Sequence, residues 1–580
     1  MEHPLAACLL SLVLAAGGAA VLFPGSAIAL ERNPPPTAPG SGANGLLPPN
    51  VTTADTDDRP LGPKVTALVF LGLSDPPASA AGGRIDAHRV PMLDDPLFEQ
   101  KVAPFLGRPI SGRLIAEVEA EVAGFYRLKG YPFVSVSTPP QEISDGTLRF
   151  RVIEFRAGPI TVSGNKRATD RQILERIRLE AGERIASRPL AEDLDWLNRS
   201  PFRRVTAQFS PGKTLGITDL DLKVSEDRPW SVYAGYANSG TLAEGRDRYF
   251  VGAVVGDYLG LGSLFSVQVT GSPDFWYADG DLFGDSEPAY GSIATASSIP
   301  LAARLQLEAT FEAIETNTSD TFDVRETTID GSLGIRTSAY DLAGLPGDLA
   351  FGVEASHQRK VIDFADVTIG EPTLDVYQLY VGWNRTWTAG GFNGSFDGRV
   401  HVSPGDLDTA NSDDAFSIYT SGRVTEATYA YATGRLDLQH NLPARFAFAT
   451  SLFGQAATGP LPDVEQATLG GASAVRGYVA DDGSYDWIFI SRNELLLPPA
   501  EFSTIPAFPV LAAPYLFADL GYGADADHGS HASAVSLGLG TSLNLGRSLL
   551  FDVDAGYALT DAPVTKKGDW AFDVRATGRY

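Results

Sequence analysis

Over residues 229–580 apolar and polar residues alternate one by one, and no helical period is visible. Leu305, Leu307, Ala309 and Phe311 alternate with Gln306, Glu308, Thr310 and Glu312. Phe265, Val267 and Val269 alternate with Ser266, Gln268 and Thr270, and Leu549, Phe551, Val553, Ala555 and Tyr557 carry Asp552 and Asp554 between them. A period of two belongs to β-strands, whose successive side chains point to opposite faces. Segments of about ten residues match a tilted strand crossing a bilayer. A soluble β-sandwich alternates as well, so the period alone leaves both architectures open. At about 22 residues per strand and loop, the region holds roughly sixteen strands, an even number of the kind bacterial membrane barrels use.

The only long apolar run lies at the start, over residues 5–23, and Ala27-Ile28-Ala29 offers a small-x-small cleavage site before Leu30. Residues 1–29 therefore read as a secretory signal peptide. Its leading segment departs from the usual pattern, with Glu2 and His3 and no lysine or arginine; an uncleaved membrane anchor is the alternative. Later segments fall short of the ~20 apolar residues of a membrane helix, and a membrane protein without such helices must close its strands into a barrel. Cys8, inside the leader, is the sole cysteine of the 580 residues. That leaves the remaining chain without disulfides or thiolate-bound metal, and is compatible with an oxidising envelope compartment.

Charge is unevenly distributed. Residues 63–228 hold 24 Lys+Arg against 22 Asp+Glu, a net of +2, whereas residues 229–580 hold 19 against 44, a net of −25. A nucleic-acid partner is not expected, since it would require clustered positive charge. The acidic half reads as acidic external loops and an acidic lumen.

Residues 30–62, rich in proline, glycine and small polar residues, read as a flexible linker. Residues 63–156 change character. Val65 opens a strand, and Leu114, Ile115, Val118, Val122, Phe125 and Tyr126 recur near helical spacing, with Gly130 as a stop. Strands follow from Phe133 and from Thr147, separated by the turn Asp145-Gly146. Residues 157–228 repeat the plan: a strand at Ile160-Thr161-Val162, a helix DRQILERIRL capped by Thr169, a second helix PLAEDLDWLNRS, then strands at 205–209 and 218–225.

One loop stands out in the barrel region. Val475-Arg476-Gly477-Tyr478 sits in LGGASAVRGYVADDGSYD, and an arginine flanked by small residues between strands needs an anionic partner. Phe517-Ala518-Asp519-Leu520-Gly521 supplies one carboxylate among apolar neighbours. VRGY followed by FxDxG resembles the outer-membrane assembly-factor superfamily. Within it the chain is most similar to the two-partner secretion transporters, the haemolysin and filamentous-haemagglutinin exporters. QEISDGTL and the strand–helix–helix–strand–strand order of both front units resemble polypeptide-transport-associated (POTRA) domains. Tyr236-Ala237-Asn238-Ser239-Gly240-Thr241 resembles the family's opening strand, with Ala237 where an acidic residue is usual.

The resemblance implies a mixed fold: two small α+β POTRA domains, residues 63–156 and 157–228, then a transmembrane antiparallel β-barrel of about 16 strands over 229–580. It implies an outer-membrane location with the N-terminal domains in the periplasm. The front domains would capture a secreted partner, expected to be a large β-helical exoprotein, and the barrel would conduct it unfolded to the cell surface. The barrel would contact outer-membrane lipid and depend on the barrel-assembly machinery for its own insertion. Arg476 would fold back with its loop and pair with Asp519 on the inner wall, Gly477 allowing a sharp turn and Tyr478 wedging against the wall, with Val475, Phe517 and Gly521 completing the two motifs. The terminal strand AFDVRATGRY places Tyr580 on its lipid face, like the targeting strand of outer-membrane barrels, although phenylalanine is the commoner last residue. Relatives often carry a plug helix before the first small domain; residues 31–62 show no amphipathic pattern for one.

Alternatives from other classes are a barrel-assembly insertase, which commonly carries more than two periplasmic domains, and a passive porin, which explains neither front domains nor tetrad. An enzyme is not expected. HExxH, GxSxG and Walker patterns are missing from the sequence. Gly538-Leu539-Gly540-Thr541-Ser542 lies in an alternating strand with no following helix, which excludes a phosphate cradle. No metal site and no cofactor are expected.

Overall fold

The computed structural model describes residues 56–580 apart from 77–82, 279–280, 283–286, 320–321, 366, 390, 503–508, 528 and 547. The expected signal peptide and most of the linker lie outside the described residues. The chain forms two compact units, one ending at Asp227 and one running from Arg228 to Tyr580.

The first unit holds two small sheets. In the first sheet the order is Ile85–Asp86, Ala67–Leu71, Thr147–Glu154, Val134–Ser137, with the first three parallel and the last antiparallel. The helix Gly112–Leu128 packs its Leu114, Val118, Val122, Phe125 and Tyr126 face into the core. Ser111 caps it, accepting from Leu114 N–H at 3.2 Å. Phe70 sits among Phe98 and Phe150 at 5.1 and 5.6 Å between ring centroids. The QEISDG stretch has a mechanical reading. The Gln141 amide exchanges two 2.8 Å hydrogen bonds with the Arg149 backbone, extending the sheet by a side chain. Gly146, at φ +77°, lies so near the backbone that a Cβ would come 2.5 Å from the Lys64 carbonyl.

The second sheet has the order Arg156–Ser163, Ile217–Glu226, Arg203–Pro211. Thr169 and Gln172 form a reciprocal capping box, but the helix spans only Asp170–Leu174, shorter than DRQILERIRL suggests. After Leu174 the backbone tightens, Arg176 N–H donating to the Ile173 carbonyl at 3.1 Å and Ile177 N–H to that of Leu174 at 3.0 Å, and Arg178 then leaves the turn. Its backbone N–H donates to Asp193 Oδ2 at 2.8 Å, and its guanidinium binds Asp193 at 2.9 Å and Glu192 at 2.5 Å. A donor held by a side chain on the next helix cannot serve a helical turn. That next helix is Ser187–Leu197.

The second unit is a closed antiparallel barrel of sixteen spanning strands. They run from Trp230–Ala237, the first, to Trp570–Arg579, the sixteenth. Burial is inverted relative to a soluble sandwich, and this decides between the two architectures the sequence left open. Leu333, Leu379, Val381 and Leu539 are 51–59% exposed on the outer face, whereas Gln306, Glu308, Gln358 and Gln378 are at most 5% exposed and face inward. Apolar outside and polar inside is the solution for a barrel in lipid. No helix among the described residues is long and apolar enough to cross a membrane.

Short helices interrupt the strand pattern, contrary to the reading of this region as strand alone. The longest, Asp413–Tyr419, covers two turns, too few to impress a 3.6-residue period on the sequence. It belongs to the loop between the ninth strand, Phe392–Ser403, and the tenth, Tyr429–Asn441. Phe416 and Tyr419 bury against Leu374 and Val376 of the eighth strand, Thr373–Ala389, and the Tyr419 hydroxyl donates to Glu326 at 2.7 Å. The chain terminus closes the barrel: Tyr580 and Val232 exchange backbone hydrogen bonds of 2.9 and 3.1 Å. The Arg228 guanidinium lies 4.3 and 4.4 Å from the Trp230 and Tyr580 ring centroids.

Candidate functional site

Between the eleventh strand, Ala447–Ala457, and the twelfth, Trp487–Leu496, the loop 458–486 folds against the inner wall. It forms its own narrow hairpin, with Gly471 N–H donating to the Tyr478 carbonyl at 2.9 Å and Val475 N–H to that of Leu469 at 3.1 Å. At the tip, Arg476 is completely buried. Its Nε donates to Asp519 Oδ2 at 2.7 Å and its terminal nitrogen to Oδ1 at 2.9 Å, the two-pronged geometry a guanidinium offers a carboxylate. The other terminal nitrogen reaches Glu494 at 2.7 Å and Asp554 at 3.7 Å. Burial pulls the guanidinium pKa down, but the hydrogen bonds and charge of Asp519 outweigh it, and the net shift is upward. The cation is thus held by three carboxylates from three strands.

The thirteenth strand, Val510–Ala524, explains why FxDxG reads as it does. Residues 517, 519 and 521 share the inward face of the period-two strand. The Phe517 ring lies 3.9 Å from the guanidinium carbon, Asp519 pairs, and Gly521 leaves room. A Cβ on Gly521 would come 2.7 Å from Val475 and from Leu469. Gly538 on the neighbouring strand clears space for Phe517 in the same way, its Cβ position lying 2.2 Å from the ring.

Gly477 has φ +89° and packs on the backbone of Gly556, where an added Cβ would come 2.5 Å from Gly477. Two main chains therefore cross with no side chain between them. Tyr478 fixes the hairpin on the other side. Its hydroxyl lies 2.9 Å from the carbonyls of Val535 and Thr560 and accepts from their N–H groups at 3.1 and 3.2 Å.

Several participants carried no sequence signal. Glu494, Tyr515 and Asp554 look like any other lumen residue of an alternating strand, yet they complete the arginine's surroundings. Tyr515 donates to Asp554 at 2.7 Å. The aspartates behind the tetrad in VADDGSYD were the visible hint. Asp482, fully buried, accepts from Val564 N–H, Thr565 N–H and the Thr565 hydroxyl at 2.9, 2.8 and 2.5 Å. Asp486 binds Leu461 N–H, the Gln466 amide and Ala526 N–H, each at 2.9 Å. The loop also meets its neighbour, the segment 404–428, through Arg423 and Asp463 at 2.5 Å. A lumen cavity is lined by Asp330, Ser332, Glu354, Gln378 and Arg399 of the wall and by Glu465 of the loop.

Family models place this architecture. Residues 346–543, which include both motifs, match "Haemolysin secretion/activation protein ShlB/FhaC/HecB", and residues 84–154 match "POTRA domain, ShlB-type". Over these residues the chain is similar to the haemolysin secretion/activation proteins. Among curated relatives, it is similar to the heme/hemopexin transporter protein HuxB of Haemophilus influenzae strain Rd, 24% identical over 396 residues. That match takes in 66% of each chain, just under two thirds of the relative's length. It is also similar to the outer membrane transporter CdiB of Dickeya dadantii strain 3937, 24% identical over 410 residues and 68% of each chain. The solved structure of CdiB from Escherichia coli shares the fold at TM-score 0.67, with 18% identity, over 93% of this chain and 94% of that one. Members of this family are outer-membrane β-barrel proteins whose POTRA domains lie in the periplasm, and this chain has that arrangement of domains.

Proposed function

We propose that this protein is a two-partner secretion transporter. Its small domains recognise a secreted protein in the periplasm, and its barrel passes that protein, unfolded, to the cell surface. The observation that carries the reading is the inward-folded loop 458–486, fixed on the barrel wall by Arg476 and Asp519. A passive pore needs no such anchored element, and small folded domains preceding the barrel in the chain are equally superfluous for one. The names of the relatives, a heme/hemopexin transporter and an outer membrane transporter, agree with export of a dedicated cargo.

The cargo is a large exoprotein, expected to be β-helical, whose extended secretion signal adds to a sheet edge or groove of the small domains. Such pairing reads backbone with little demand on sequence. The chemistry is transport: export uses no cofactor, and folding of the cargo outside biases its direction. The apolar outer wall meets outer-membrane lipid, and the terminal strand ending at Tyr580 is read by the barrel-assembly machinery.

Deletion of residues 63–156 tests the receptor role. The shortened protein is expected to insert as a heat-modifiable barrel and to lose secretion of its partner. Unchanged secretion would contradict the role assigned to the small domains.

A further inference from the structure

The weakest joint of the barrel is its closing seam. The sixteenth strand pairs with the first over five register positions, from Arg575↔Ala237 to Arg579↔Tyr233, continued at the terminus by the Tyr580–Val232 pair, whereas the neighbouring pair of first and second strands makes eight. Above Ala237 the ladder is continued by Asn238 alone. Its amide donates to the Phe572 carbonyl and accepts from Val574 N–H, both at 2.7 Å, and its own N–H donates to Val574 O at 3.2 Å. Beyond that point the two seam strands diverge into the loops 238–247 and 559–569.

Both of those loops are held by consecutive residues of the arginine loop. Asp481 accepts from Leu242 N–H at 3.1 Å with each oxygen, gripping the loop that follows the first strand. Asp482 accepts the two amides and the hydroxyl of Val564 and Thr565, gripping the loop that precedes the sixteenth. Val479 N–H donates to Asp482 at 3.0 Å, so the grip is rigidly joined to Tyr478 and the tetrad.

We propose that Asp481 and Asp482 are positioning residues that clamp the two sides of the seam to the Arg476 loop, so that the seam opens only when that loop leaves its seat on the wall. The idea rests on the barrel being the conduit of the proposed transporter, but its test needs no cargo, so the two readings fail separately. A carboxylate that accepts two or three hydrogen bonds supplies both attraction and geometry. With so short a ladder at the seam, these contacts form a large share of what holds the end at Ala237 and Asn238.

The experiment uses the full-length protein in planar lipid bilayers, in a Cys8→Ser background carrying Ala237→Cys and Arg575→Cys, which are Cα partners across the seam. With the cysteines reduced, Asp481→Ala/Asp482→Ala is expected to raise the frequency of large openings about tenfold or more, given the loss of several charge-assisted hydrogen bonds. Oxidising the cysteine pair is expected to return the frequency to that of the parent. An unchanged frequency in the reduced state would overturn the proposal. So would an increase that survives oxidation, because the aspartates would then act on the loop in the lumen and not on the seam. If the double variant does not give a heat-modifiable barrel, Asp481→Ala, which removes only the Leu242 contact, carries the same test with the same two decisive outcomes.

Discussion

Arg476→Ala tests the anchoring of the loop. The substitution leaves Asp519 buried, 1% exposed, with Arg476 N–H at 3.3 Å as its one remaining donor from the loop. It also takes from Glu494 and Asp554 the guanidinium that contacts both. Breaking a buried pair by removing one member costs roughly 3–5 kcal/mol. At about 1.4 kcal/mol per decade, that shifts the seated-to-released equilibrium of the loop by roughly two to three and a half orders of magnitude. The barrel wall, closed by continuous ladders, should survive. Hydrogen exchange of amides 469–482 reads the seat directly: protection should fall by at least a hundredfold, while heat-modifiable migration is retained and secretion of the partner drops strongly. The reverse truncation is not equivalent. In the structure Asp519→Ala leaves Arg476 on Glu494 at 2.7 Å. Asp519→Ala is therefore expected to be the milder variant, and the double variant no worse than Arg476→Ala, because contacting residues couple. Arg476→Lys should rescue poorly, since an ammonium cannot serve Asp519 and Glu494 with fixed prongs. Undiminished protection in Arg476→Ala, or fully additive defects in the double variant, would refute the reasoning.

Gly556→Ala should unseat the loop although it lies on the wall and touches no charge, because the new Cβ would come 2.5 Å from Gly477; proteolysis of the loop in the otherwise intact barrel reads this. Tyr478→Phe removes one hydroxyl from a buried cluster of donors and acceptors, and a loss of about 1–3 kcal/mol in loop seating is expected, again by hydrogen exchange. Residues 56–227 should fold when excised, with acid sensitivity set in part by Glu226. Burial raises that carboxyl's pKa, but the N–H donors of Arg167, Ala168 and Lys166 outweigh it and hold it below its ordinary value. A depressed folded-state pKa gives stability that is present above the unfolded value, about 4.3, and lost as pH falls through the folded one. Glu226→Gln should therefore lower the melting temperature at pH 6–7 and flatten its decline in acid; parallel curves for the two proteins would contradict it.

Much of what was legible in the sequence follows from periodicity. The strand number follows from the length of the region at about 22 residues per strand and loop, and the two faces from the segments that alternate clearly, such as 305–312 and 549–557. The pairing of FxDxG with VRGY comes from the family resemblance, and the period of two explains why residues 517, 519 and 521 share one face. The front units were readable from Leu114 to Tyr126 at helical spacing and from the Thr169 cap. The rest depended on distance in the chain. Glu494 and Asp554 are inward-facing acids like many others, and only closure of the barrel brings them to Arg476. Gly556 reads as a weak strand residue until the Gly477 backbone is seen crossing it. The helix Asp413–Tyr419 is too short to announce itself, and Arg178 is held outside the helical pattern by Asp193, fifteen residues away.

The central claim is that cargo travels through the lumen, and adjacent residues of the sixth strand, Asp323–Ser338, offer the most direct measurement. Ser332 lines the lumen cavity, whereas Leu333 is 51% exposed on the outer face. A photo-crosslinking amino acid placed at each position, in cells exporting the partner stalled in transit by a folded fusion, reports which face the chain passes. Crosslinks to the partner from position 332 and none from 333 are the predicted result. Export that continues with no crosslink at 332, or with crosslinks at 333, would contradict passage through the barrel.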